Sequence, residues 1–144
     1  MTSVVFHFNV NNRLDYTCRL VRKGVSTGAR LLLIVPADEL DQFDHELWQL
    51  SPVEFLPHCR SNAANRVLAR SPVVLSSVLT LIPRGNVLVN LCERAPEGIT
   101  AFERVIEVVA LDEPSRQAAR QRWRHYVQVG VELLRHDAQG RGTT

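Results

Sequence analysis

Residues 4–35 read VVFHFNVNNRLDYTCRLVRKGVSTGARLLLIV, and the way this stretch divides decides the fold. Val4 to Val10 is rich in β-branched and aromatic residues, as a strand is. Leu14, Cys18, Leu20 and Val21 then recur at helix-compatible spacing, and Gly24 and Gly28 punctuate the end of that helix. Arg30 leads into an unbroken apolar run to Val35, which suits a parallel strand buried on both faces. Strand, helix and strand together predict a βαβ unit.

Downstream, Pro36 opens a second helix. Asp38 and Glu39 suit its N-terminus, and Leu40, Phe43, Leu47 and Leu50 form its apolar stripe. Ser51 to Pro72 sustains no period and carries three prolines, which predicts a long surface connection with at most a short helix. Short β-like runs at Val73 to Leu75 and Val87 to Leu91 flank a looser apolar stretch through Val78, Leu79, Leu81 and Ile82. Phe102, Val105, Ile106 and Val109 have helical spacing and predict a helix over Ile99 to Val108. Asp112, Glu113 and Pro114 restart a last helix that reaches about Leu134. The expected organisation is one α/β domain over residues 1–135, with a largely parallel sheet flanked by helices and a flexible tail over 136–144.

Composition narrows the function. A net charge of +2 is too mild for wholesale phosphate binding. No apolar run approaches the roughly 20 residues of a membrane span, and the N-terminus MTSVVFHFNV lacks the pattern of a signal peptide, so a cytoplasmic protein is expected. Cys18, Cys59 and Cys92 include no CxxC pair and read as reduced thiols in or near the core.

The chemistry of the common α/β enzymes is missing from the pattern. A dinucleotide site needs glycines directly after the first strand, where this chain has Asn11, Asn12 and Arg13. His58 beside Cys59 is the one adjacent pair of good metal ligands, and nothing at ligand spacing completes four-coordination. Asp38, Glu39, Asp41, Asp44 and Glu46 read as a solvated helix face. His7, His45, His125 and His136 are scattered, and no nucleophile elbow is present. Neither a catalytic residue, a cofactor site nor a metal site is nominated.

Two surfaces stand out from a simple core. On the last helix, Ala119, Tyr126, Val129 and Leu133 share one side, the expected core face. Roughly opposite lie Arg116, Arg120, Trp123 and Val127, with Arg124 at the edge. Guanidinium groups around an indole suit an acidic peptide ending in a hydrophobic residue. The alternative is that Trp123 folds under a neighbouring element while the arginines are solvated. On the second helix Trp48 sits off the apolar stripe, and Phe55, Leu56 and Pro57 follow in the irregular connection. They form either a protein interface or an edge of the core.

The segments LVRKG (20–24) with GAR (28–30), LWQLSPVEFLPH (47–58), LVNL (88–91), RVIEVV (104–109) and ARQRWRHYVQVG (119–130) occur in the order of landmarks in the chi subunit of bacterial DNA polymerase III holoenzyme, which the chain resembles almost throughout. The resemblance implies a Rossmann-like fold without a nucleotide-binding loop and a non-enzymatic place in the clamp-loader assembly. It implies binding of the acidic C-terminal tail of single-stranded-DNA-binding protein at Val109, Arg120, Trp123 and Arg124, with Arg116 nearby. It also implies psi-subunit binding at Trp48 and Phe55, with Leu56 and Pro57 beside them, a surface for which some helicases compete. DNA contact is then indirect. Trp123 stands where the family often has tyrosine, which keeps the aromatic surface and removes a hydroxyl. Two rival readings remain: an enzyme on the α/β scaffold, and a direct nucleic-acid binder using the arginine face.

Overall fold

A computed structural model describes residues 2–49, 58–79 and 85–140 of the chain. In order, its elements are strand β1 (Ser3–Val10), helix α1 (Arg13–Ser26), β2 (Leu31–Ile34), a 3-10 turn (Ala37–Glu39) leading into α2 (Leu40–Gln49), and β3 (His58–Arg60). There follow α3 (Asn65–Arg70), β4 (Val73–Ser76), β5 (Val87–Asn90), a second 3-10 turn (Ile99–Ala101), β6 (Arg104–Ala110), α4 (Glu113–Val129) and β7 (Glu132–Asp137). The seven strands form one sheet in the order β3-β4-β2-β5-β6-β1-β7, and every neighbouring pair is parallel.

Parallel strands need crossovers, and the helices that supply them cover both faces. On one face Leu31, Leu33, Val73, Leu75, Val89, Ile106 and Val108 meet Cys18 and Val21 of α1 and Phe43 and Leu47 of α2. On the other, Val4, Phe6, Leu32, Ile34, Val74, Leu88, Val105 and Val109 meet Ala119 and Tyr126 of α4. A strand buried on both faces has no polar side to show, which is why β2 reads as an unbroken apolar run. Full burial stabilises each such side chain by about 1.5–3 kcal/mol over exposure.

Local chemistry sets the helix ends. The side chain of Asn12 accepts from the Asp15 backbone N–H at 3.0 Å and caps α1. Asp112 caps α4 by accepting from the Ser115 backbone N–H at 3.0 Å, and Gly130, with a φ of 86°, closes its far end.

One irregularity shapes the site. Register between β1 and β6 pairs His7 with Val108 but Val10 with Ala110, so β1 carries one extra residue, a bulge. Asn9 lies inside it with a φ of 62°. In consequence Phe6 and Phe8 face α4 while Val10 faces α1.

Four expectations are corrected. The helix expected over Ile99 to Val108 is a 3-10 turn followed by β6, because a strand covered on both faces presents apolar residues at helix-like intervals by coincidence. The last helix stops at Val129, and Glu132 to Asp137 instead pair with β1 as the edge strand β7. Leu133 is therefore off the helix, and Val129 is exposed rather than in the core. The stretch expected to be an unstructured tail begins inside β7 with His136 and Asp137, while residues 141–144 lie outside the described residues.

The connection expected from Ser51 to Pro72 also holds strand β3, besides the short helix α3. The buried His58 ring meets Asp44 of α2 at 2.8 Å, and Arg60 reaches Asp41 and Asp44 at 2.5 and 3.0 Å. Two of the acids expected on a solvated face thus anchor this edge strand. Leu50, Leu81 and Ile82 lie outside the described residues.

Candidate functional site

The α4 face of the sheet has features that packing alone does not explain. On the α4 face a groove of about 530 Å³ opens between α4, the end of β1 and β7. Its floor is apolar, with Phe6, Phe8, Val109, Ala119 and Trp123; Asn9 closes one end, and Arg116, Arg120, Arg124 and Arg135 stand around it. Among the described residues every charged side chain lining it is an arginine.

Helical spacing brings Arg116, Arg120, Trp123 and Arg124 to one side of α4, and β6 runs beneath to contribute Val109. All five residues expected to bind an acidic tail therefore line one groove. Trp123 does not stand wholly away from the core. It is half-buried and packs edge-to-face on Phe6, ring centroids 5.2 Å apart, and Phe6 meets Tyr126 edge-to-face at 6.0 Å. The indole thus belongs to the core on one side and the groove on the other. Val127, on the same expected face, is exposed and does not line the groove.

The arginines are held differently. Arg120 pairs with Glu113 at 3.1 Å, both more than half exposed, a contact that salt screens and a stronger ligand displaces. Arg116 donates to the Asn9 side-chain oxygen at 3.3 Å. The Arg135 guanidinium lies 5.9 Å from the centroid of the Phe8 ring, within cation–π range. Such a surface offers bidentate donors for carboxylates over a seat for one apolar side chain.

Phe6, Phe8, Asn9 and Arg135 are groove residues that sequence reasoning missed. Phe6 and Phe8 alternate within a strand and so share a face, a signal that was available. Arg135 carried none, because its stretch does not read as a strand.

Under α4 lies a buried polar network. Glu107, fully buried on β6, accepts from the Arg122 Nε at 2.8 Å, the Tyr126 hydroxyl at 2.6 Å and the Asn90 amide at 3.0 Å. Arg122 also donates to the Glu93 carbonyl at 3.0 Å. Burial pushes the Glu107 carboxyl up, and Arg122, Tyr126 and Asn90 pull it back. The same burial, with the Glu107 charge, pushes the Tyr126 phenol up. The network fixes the inner face of the helix whose outer face carries the arginines.

A second cleft opens at the carboxyl ends of the strands, where α/β folds commonly bind ligands. Asn12 is committed as the cap of α1, and Arg13 bonds Glu39 and the Leu91 carbonyl. No glycine stands at this turn to let a pyrophosphate approach the backbone. Among the described residues, no group of three or more His, Cys, Asp or Glu side chains is placed to hold a metal. Cys18 is buried and its thiol is pushed up to about 12 by burial, with Glu46 and Asp15 adding to the effect, while Cys59 and Cys92 are half-buried. No helix of the described residues is long and apolar enough to cross a membrane.

Of the second expected surface, Trp48 lies on α2, but its side chain is outside the described residues, as are Phe55, Leu56 and Pro57.

Residues 1–134 match the family described as DNA polymerase III chi subunit, HolC. DNA polymerase III subunit chi of Pseudomonas aeruginosa is 34% identical over 129 residues, covering 86% of this chain and 85% of that protein. The Haemophilus influenzae protein of the same name is 26% identical over 112 residues, covering 76% of each. Among solved structures, a chain from a complex of a variant S. cerevisiae Dbp5 bound to Nup159, a variant Gle1, IP6 and ADP superposes with a TM-score of 0.57 at 12% identity. It covers 96% of this chain and is itself covered over 42% of its length, a likeness of fold alone.

Proposed function

This chain belongs to the DNA polymerase III chi subunit family, and from that premise we propose that it is a non-catalytic adaptor that binds the acidic C-terminal tail of single-stranded-DNA-binding protein. The observation that carries the reading is the groove whose charged lining is all arginine and whose floor is aromatic and aliphatic. Arg116, Arg120 and Arg124 take the acidic residues of the tail, and the seat formed by Val109, Trp123 and Phe6 takes its terminal hydrophobic side chain. DNA is reached only through the protein that coats it.

The adaptor tethers the polymerase assembly to the coated strand. Where many tails are displayed, linked sites raise the effective concentration, so a modest affinity per tail suffices. In the same reading Trp48, Phe55, Leu56 and Pro57 are the residues that hold the psi subunit and, in some bacteria, a competing helicase. The chain has no active site of its own in this reading and works in the cytoplasm with the replication machinery.

Fluorescence anisotropy with a labelled acidic, phenylalanine-ended peptide tests the tail assignment. Wild type binds in a salt-sensitive manner, and Arg120→Ala, which loses one exposed charge-assisted contact of about 1 kcal/mol, binds roughly fivefold more weakly. A parallel titration with bare single-stranded DNA separates the rival nucleic-acid reading. Tight binding of bare strands with none of the peptide would sink the adaptor reading.

A further inference from the structure

Among the described residues, Asn9 is the one residue other than glycine with a positive φ, 62°. That region is uncommon for a residue carrying a Cβ, asparagine being among the types that enter it most readily, and glycine would occupy it freely. Such an outlier at a site points to a task for the side chain. Asn9 lines the groove, and its amide spans two elements. Its Nδ2 donates to Asp137 Oδ1 of β7 at 3.3 Å, and its Oδ1 accepts from Arg116 Nη2 of α4 at 3.3 Å. Gln139 Nε2 donates to its backbone oxygen at 3.3 Å.

The chemistry of the two neighbours selects this residue type. A carboxylate only accepts and a guanidinium only donates, so a side chain between them must donate on one side and accept on the other. An amide of this length does both. Aspartate would set its charge against Asp137, and an apolar residue would leave Arg116 without this contact. The bulge in β1 brings the amide to that position, since without the extra residue the side chain at position 9 would point to the opposite face from Phe8.

We infer that Asn9 is a positioning residue of the groove, spanning from Asp137 to Arg116 and holding the Arg116 guanidinium at the groove wall, where a peptide carboxylate meets it pre-oriented. This rests on the groove's being a peptide site. It goes further by assigning part of the affinity to a residue that the peptide need not touch. Among the described residues, Arg120 is tied to a glutamate about two turns away on its own exposed helix surface and makes no such bond to the sheet. The contribution of Arg116 therefore depends on the end of β1, and that of Arg120 does not.

The test is a double-mutant cycle on the intact chain. Wild type, Asn9→Gly, Arg116→Gln and the double variant are titrated with the same labelled acidic, phenylalanine-ended peptide, each with a thermal melt. Glycine keeps the backbone conformation and removes only the amide. The expected result is about fivefold weaker binding for Asn9→Gly, with a melting temperature equal to or above that of wild type. In the Arg116→Gln background, Asn9→Gly should weaken binding no further. A purely structural bridge would instead lower the melting temperature and leave affinity alone, which would overturn the inference. So would a loss of affinity from Asn9→Gly that persists undiminished when Arg116 is gone. Failure of wild type itself to bind the peptide is a different result: it removes the groove reading, and the role of Asn9 with it.

Discussion

Replacing Glu107 by leucine perturbs the fold where its polar groups are least replaceable. The carboxylate is fully buried, and the Arg122 side chain that donates to it is only 7% exposed. Removing the acid leaves a buried guanidinium whose remaining partner among the described residues is the Glu93 carbonyl at 3.0 Å, and leaves the Tyr126 hydroxyl without its acceptor. Breaking a buried pair by removing one partner costs about 3–5 kcal/mol. The surviving bond to Glu93 argues for the lower end, about 3 kcal/mol. For a chain of this size that lowers the melting temperature by roughly 6–12 °C. The double variant Glu107→Leu with Arg122→Met removes both charges and keeps most of the volume, so it should recover to within about 1–2 kcal/mol of wild type, the Tyr126 hydroxyl remaining unpaired. Urea unfolding of wild type, Glu107→Leu, Arg122→Met and the double variant, followed by tryptophan fluorescence, measures all four free energies, and Trp123 reports directly because it packs on Phe6 beside Tyr126. The reasoning is refuted if Glu107→Leu costs less than about 1 kcal/mol, or if the double variant is as unstable as the sum of the singles.

Two further predictions concern pH and the end of α4. The His7 ring, bonded to the Tyr16 hydroxyl at 2.5 Å and tilted against the His136 ring with centroids 4.8 Å apart, is pushed down to about 4 by burial, with His136 and Arg104 adding to it. The unfolded chain therefore binds a proton that the folded chain refuses, and stability falls as pH drops from about 6.5 to about 4, then stays level with respect to this group. Discounted for partial exposure, the loss is on the order of 2 kcal/mol. Melts across that range should show a shallower decline in His7→Gln, and an identical decline would refute the assignment. Gly130 takes a φ of 86° where an added Cβ would meet nothing within 4 Å, so Gly130→Ala pays a conformational cost alone, about 1 kcal/mol. Calorimetry should show the melting temperature lowered by a few degrees, and an unchanged transition would mean that the helix ends some other way.

Much of the layered fold was legible because burial on two faces leaves an unmistakable sequence. Leu31 to Val35 has no polar position, and nothing but a central strand or a buried helix accommodates that; the flanking glycines and the short length favour the strand. Arg104 to Ala110 has the same origin but carries Glu107 in its middle, and Phe102, Val105, Ile106 and Val109 happen to fall at helical intervals. The acid is tolerated there because Arg122 and Tyr126 arrive from a helix later in the chain, a partnership with no local trace. At β3 and β7 the difficulty is opposite. Edge strands are partly solvated, so their side chains lose the alternation that marks a strand; His58 to Arg60 and Glu132 to Asp137 look like connection and tail.

The groove divides along the same line. Its α4 wall follows from residue spacing alone, since about 100° per residue puts Arg116, Arg120 and Trp123 on one side whatever the rest of the chain does. Its other wall depends on register: β7 must pair with β1 so that Phe6 stands beside Arg135 and Phe8 beside Asp137, and the bulge must turn Asn9 toward Arg116. Register is a property of two strands more than a hundred residues apart, fixed by the crossover of α4, and no window along the sequence contains it. Trp123 shows how the two walls meet. Three residues from Tyr126, the indole lies only about 60° from it around the helix, at the margin of the core face, and the Phe6 side chain, delivered by a distant strand, packs on it there and turns the indole into a wall shared by core and groove.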